Sequence, residues 1–163
     1  MSTPVSRSDA KVVIERTYQA DIEDVWALWT TKEGFESWWG PQGFRAEVQE
    51  IEARVGGVLR YEMIADSPET IAALAKMGRP RSHPTNSRFT ELQPRSRLVI
   101  TSAIDFIPGV APYESNIAVD LSAAGGRVRM VVTLDPMHTD EVTKMQTEGF
   151  TSQLTKLDTR FDR

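Results

Sequence analysis

The 163-residue chain contains no cysteine. Disulfides, thiolate nucleophiles and cysteine-held metals are therefore excluded. Histidine is nearly as scarce: His83 and His138 stand far apart, and neither belongs to an HxH or HExxH spacing. No metal site is expected from two isolated imidazoles. A continuous apolar run of about 18 residues is also missing, so no membrane-spanning helix is expected. Residues 1–10 have no apolar centre of the kind a secretory signal needs, and with cysteine missing as well the chain reads as a protein of a reducing compartment, the cytoplasm. Positive charge is not in excess. The 19 basic and 23 acidic residues leave a net charge of −4 and a pI near 5.3, which argues against a nucleic-acid partner. There is no GxSxG elbow. Gly56-Gly57 and Gly125-Gly126 do not continue into GxGxxG or a phosphate loop, so no nucleotide cofactor is expected.

What is present is an ordinary soluble composition, 40% hydrophobic and 26% charged, long enough for one core. The reading is a short tail over 1–10 and a single domain over 11–163, with an inserted helix-loop segment near 66–87. Residues 11–18, rich in β-branched side chains, predict a strand. Asp21 and Asp24 are spaced as in a capping box before a short helix, and Thr31 opens a second one that Gly40-Pro41 ends. Residues 44–51 and 58–64 predict two strands joined at Gly56-Gly57. An Ala-rich helical stretch over 68–77 precedes a loop over 78–84, where Gly and Pro punctuate the sequence. Its basic side chains, with Arg88 beyond it, are sparse and read as a solvated face. Strands are expected over 88–92, 97–104, 114–121 and 127–134; in the last, Val128, Met130, Val132 and Leu134 share one face. Residues 140–161 form one long amphipathic helix, capped by Thr139. An antiparallel sheet of six to seven strands has one apolar face to cover, and this helix is the only element long enough to cover it. The expected class is α+β: a curved sheet wrapped round a C-terminal helix, with two short helices after the first strand.

Several strings then resemble a known family. Val25-Trp26-Ala27-Leu28 with Trp38-Trp39-Gly40-Pro41, Val55-Gly56-Gly57 with Tyr61-Glu62-Met63, Glu91-Leu92-Gln93-Pro94 with Arg97-Leu98, and Gly149-Phe150 with Leu154 and Leu157 occur in order over residues 12–161. They are similar to the activator-of-heat-shock-protein-90-ATPase-like group of the START/SRPBCC (helix-grip) superfamily, although that group more often has Trp at the Phe150 position. The resemblance implies a cavity between the last helix and the sheet. It also implies three functions: a pocket for a hydrophobic small molecule, a chaperone partner that stimulates an ATPase, or a polyketide cyclase or hydrolase. It supplies no shared catalytic residue, and the residues themselves force no nucleophile–base pair, so binding is expected ahead of catalysis.

On the last helix, Val142, Met145, Gly149, Phe150, Leu154, Leu157 and Phe161 fall on one half of the circumference. Gly149 inside that half costs about 1 kcal/mol of helix propensity. Two readings stay open: close helix–strand packing, or space for a ligand. Gln146 and Gln153 share the same arc, and buried amides need partners; they either face the cavity or snorkel outward. The four tryptophans, Trp26, Trp29, Trp38 and Trp39, close one end of the sheet, or Trp39 touches ligand. Strand alternation puts Tyr61 with Leu59 and Met63, opposite Glu62. The apolar loop Phe106-Ile107-Pro108-Gly109-Val110 needs a cover, whether the cavity mouth, the insertion or a second copy of the chain in a homodimer. The candidate ligand-contacting set is Trp39, Tyr61, Met63, Ile100, Phe106, Tyr113, Met145, Gln146, Gly149 and Gln153.

Overall fold

The computed structural model describes residues 10–105 and 109–161. Strand β1 (Val12–Gln19) leads into helices α1 (Ile22–Thr30) and α2 (Lys32–Glu36). Strands β2 (Phe44–Ile51) and β3 (Val58–Ala65) form a hairpin, followed by helix α3 (Pro68–Lys76). Strands β4 (Ser82–Gln93), β5 (Arg97–Ile104), β6 (Tyr113–Ala124) and β7 (Arg127–Leu134) run as a meander into helix α4 (Asp140–Phe161). All seven strands pair antiparallel in one sheet, in the order β1-β7-β6-β5-β4-β3-β2. Register shifts at Val48/Glu50 and Phe89/Glu91 each insert a residue. Such bulges bend a strand and increase its twist, and the sheet curves as a half-barrel around α4.

The core lies between that concave face and α4. Val128, Met130, Val132 and Leu134 are all at most 1% exposed, as their alternation predicts. Leu59, Phe89, Leu98 and Val119 join them, and α4 contributes Phe150, Leu154 and Leu157. One end is closed by aromatic rings from α1, α2 and the loop beyond. Trp29 meets Trp38 edge-on at 4.9 Å, Phe35 stacks on Trp39 at 4.4 Å, and Phe150 of α4 reaches Trp39 at 6.0 Å. A Cβ at Gly57 would overlap the Glu52 carbonyl oxygen and Gly56 has φ of +81°, which together explain the glycine pair between β2 and β3.

The caps follow the sequence with one exception. Thr31 accepts from the Gly34 N–H at 3.0 Å and Thr139 from the Val142 N–H at 3.1 Å. Asp21 has extended backbone but makes no side-chain cap; the Asp24 N–H goes to the Asp21 carbonyl instead, at 3.0 Å. The larger correction concerns residues 78–84. They do not all form a loop: β4 begins at Ser82, and its first residues pair with β3, His83 opposite Met63 and Pro84 opposite Glu62. Pro84 is tolerated because β4 has no partner on its other side there. Among the described residues, β4 pairs with β5 only over positions 87–93. A proline at an unpaired edge forfeits no ladder hydrogen bond. No helix among the described residues is long and apolar enough to cross a membrane.

Candidate functional site

The parting of β4 from β5 makes an opening. Beyond the Ser87–Ser102 pair, β4 stays with β3 while β5 stays with β6. Thr85 and Asn86 on one side, and Ala103, Ile104 and Asp105 on the other, border a cavity of about 380 Å³. This lies within the usual size range of small-molecule pockets, roughly 300–1,000 Å³. Below the opening the sheet is stitched shut: Ser87 Oγ and Ser102 Oγ are 2.8 Å apart, Thr90 Oγ1 and Thr101 Oγ1 are 2.9 Å apart, and Thr101 donates to Asn116 Oδ1 at 2.6 Å.

The far wall is α4. Gln146, Gly149, Phe150 and Gln153 face the space, one helical stripe at i, i+3, i+4 and i+7. A Cβ built on Gly149 meets nothing within 4 Å. Close packing against a strand is therefore not what this glycine serves. The floor is aromatic: Trp39, Tyr61 and Phe150, with Met63 beside them. Trp39 Nε1 donates to the Tyr61 hydroxyl at 3.0 Å, which fixes both rings. Burial pushes the Tyr61 phenol above its usual 10.0, outweighing the hydrogen bonds from Trp39 and Thr85 that favour the phenolate. Tyr61 is accordingly a neutral phenol at physiological pH.

Helix α4 also grips the segment that carries Trp39. Gln153 Oε1 accepts from the Gly40 N–H at 2.9 Å, and Lys156 Nζ donates to the Gly40 carbonyl at 2.8 Å and the Phe44 carbonyl at 3.2 Å. Ser152 Oγ accepts from the Gln42 N–H at 3.0 Å. Gly40 has φ of +102°, and a Cβ there would press on Met63 Sδ and on the Phe44 backbone at 3.2 Å, so glycine suits this turn. The grip leaves one loose end. Gln153 is 3% exposed, yet its Nε2 has no hydrogen-bond partner, and neither does the buried Gln146 Oε1.

The ten candidates separate clearly. Trp39, Tyr61, Met63, Gln146, Gly149 and Gln153 come together on the cavity wall. Ile100, 2% exposed, is packed in the core and does not reach the wall. Tyr113 is also off the wall; its hydroxyl lies 2.8 Å from His138 Nδ1, tying the start of β6 to the turn before α4. Met145 is 63% exposed. The helical-half reading placed it inward, but it sits about 100° round the helix from Gln146, on the flank. Phe106 lies outside the described residues. Sequence reasoning missed the β4 side of the opening, His83 to Asn86, because Pro84 reads as a breaker. It also missed Ser152 and Lys156 as the grip on the Gly40 segment; their polar spacing beside Gln153 was the available signal. No group of three or more potential metal ligands occurs among the described residues.

A half-barrel sheet closed by a C-terminal helix over an open-mouthed cavity defines a helix-grip protein. More narrowly, the chain belongs to the family of activator of Hsp90 ATPase homolog 1-like proteins, whose family model matches residues 19–162. Solved structures agree on the fold. A Chromobacterium violaceum protein superposes with a TM-score of 0.74 at 21% identity, over 94% of this chain and 97% of its own. The AHSA1 protein of Silicibacter pomeroyi gives 0.71 at 19% identity, over 93% and 96%. A protein from Arthrobacter aurescens gives 0.72 at 22% identity, over 96% and 90%. No curated protein matches the sequence.

Proposed function

We propose that this chain is a small-molecule binding protein that holds a neutral, largely apolar ligand between α4 and the sheet. The observation that carries the reading is Gly149, a glycine in mid-helix whose missing side chain leaves open space on the wall of a 380 Å³ cavity. A helix gives up about 1 kcal/mol of propensity at such a position, and space is what it gains here. Anionic ligands are disfavoured by the wall, which carries neither Lys nor Arg among the described residues and does carry Asp105. A ligand carboxylate would enter without a counter-charge, and an unpaired buried charge is strongly disfavoured. The aromatic floor favours a ring.

The test is a thermal-shift screen of fused-ring, biphenyl and steroid compounds on the wild type and on Gly149→Phe. Binding the folded state raises the melting temperature by mass action. The wild type shifts upward with at least one class, and Gly149→Phe keeps its own melting temperature within a few degrees but loses the shift. An equal shift in both proteins, or none in the wild type, contradicts the proposal. Product in the same incubations would favour the cyclase or hydrolase reading. Stimulation of a chaperone ATPase that survives Gly149→Phe would favour the protein-partner reading.

A further inference from the structure

Resting on the cavity reading above, we infer that the ligand presents a carbonyl oxygen to the side-chain amide of Gln153, which makes Gln153 the residue that selects ketones over their hydrocarbon analogues. The argument begins with the orientation of the amide. Gln153 Oε1 accepts from the Gly40 backbone N–H at 2.9 Å. A backbone N–H can only donate, so the amide cannot be turned round. Its oxygen is committed to Gly40, and its NH₂ group must face the other way. That group, Nε2, is buried without a partner, and Gln153 lines the cavity. A buried unpaired donor is costly to keep. Helix α4 keeps this one, held rigidly by the Gly40 bond, beside a cavity open to solvent.

The surroundings narrow the class. Trp39, Tyr61 and Phe150 line the same cavity as Gln153, so the carbonyl is borne on or next to a ring. Gln146 lies two helical turns away, about 10 Å along the axis. Its Oε1 is also buried and unpartnered.

The experiment uses matched pairs on three skeletons: acetylnaphthalene with ethylnaphthalene, acetylbiphenyl with ethylbiphenyl, and a steroid ketone with its methylene analogue. Affinities are measured by titration calorimetry on the full chain. In the wild type the ketone member binds about tenfold tighter than its partner, the scale of one buried hydrogen bond made rather than left open. Gln153→Met removes the donor, and the ratio falls to near one. The ratio is taken within one protein, so a loss of stability shared by both ligands cancels. Gln153→Glu keeps an oxygen for the Gly40 N–H. Its ketone preference falls as pH rises and the new carboxyl ionises, and the wild type at each pH accounts for Tyr61, His83 and Asp105 on the wall and Lys156 on the same helix. Equal affinity for ketone and hydrocarbon in the wild type overturns the inference and leaves the cavity reading standing. A ratio that survives both substitutions also overturns it. Failure of every pair to bind overturns the cavity reading itself.

Discussion

Single residues show where the chain gives up stability and where it does not. Gly149 is on a helix, without positive φ, and an added Cβ meets nothing. Gly149→Ala should therefore stabilise, by about 1 kcal/mol. For a chain of this size that is a rise of about 2–4 °C in melting temperature, readable by calorimetry; a fall would show that the space is already filled. Tyr61 makes the second prediction. Its phenol titrates above 10.0 in the folded protein because burial disfavours the phenolate. The unfolded chain then loses this proton at lower pH than the folded one, so stability is intact below about pH 10 and declines as pH rises through the folded value. Denaturant melts between about pH 8 and 11 should show this slope in the wild type and a shallower one in Tyr61→Phe. At the acid end, burial pushes the Asp135 carboxyl up, but Lys11, the Asn116 backbone N–H and the Asn116 amide together hold it below its usual 3.8. Its contribution is present above that value and is lost as pH falls through the depressed one.

At the scale of elements, α4 does two jobs with two stripes. Phe150, Leu154 and Leu157 fill the core, while Ser152, Gln153 and Lys156 hold the Gly40–Phe44 segment. Lys156→Ala removes two charge-assisted bonds from a half-buried site and should cost about 1–2 kcal/mol. Ser152→Ala removes one neutral bond and should cost about 1 kcal/mol or less; equilibrium denaturation ranks the pair, and the reverse order would refute this account of the grip. Most of the elements were legible in the sequence because their patterns are local. The alternation of β7 and the long amphipathic run of α4 give their bounds directly. The start of β4 was not legible, since its strand character depends on a partner about twenty positions upstream and on the missing partner opposite Pro84. Met145 was misplaced because periodicity gives the width of an apolar arc but not where the sheet ends beneath it.

For the whole molecule, the two ends of the sheet behave differently. One is plugged by Trp29, Trp38, Trp39 and Phe35; at the other, β4 and β5 part and the interior reaches solvent. The family-like strings of the sequence anticipated the fold and a space under the helix. They did not give its mouth or the free amide of Gln153, because both arise from contacts between distant segments. The most direct test is a two-dimensional amide NMR titration with acetylnaphthalene. The account predicts saturable shifts clustered at Trp39, Gly40, Asn86, Gly149 and Gln153, including the Gln153 side-chain NH₂, with the outer faces of β1 and α3 unmoved. Shifts gathered on those outer faces, with the cavity wall silent at saturation, would contradict it.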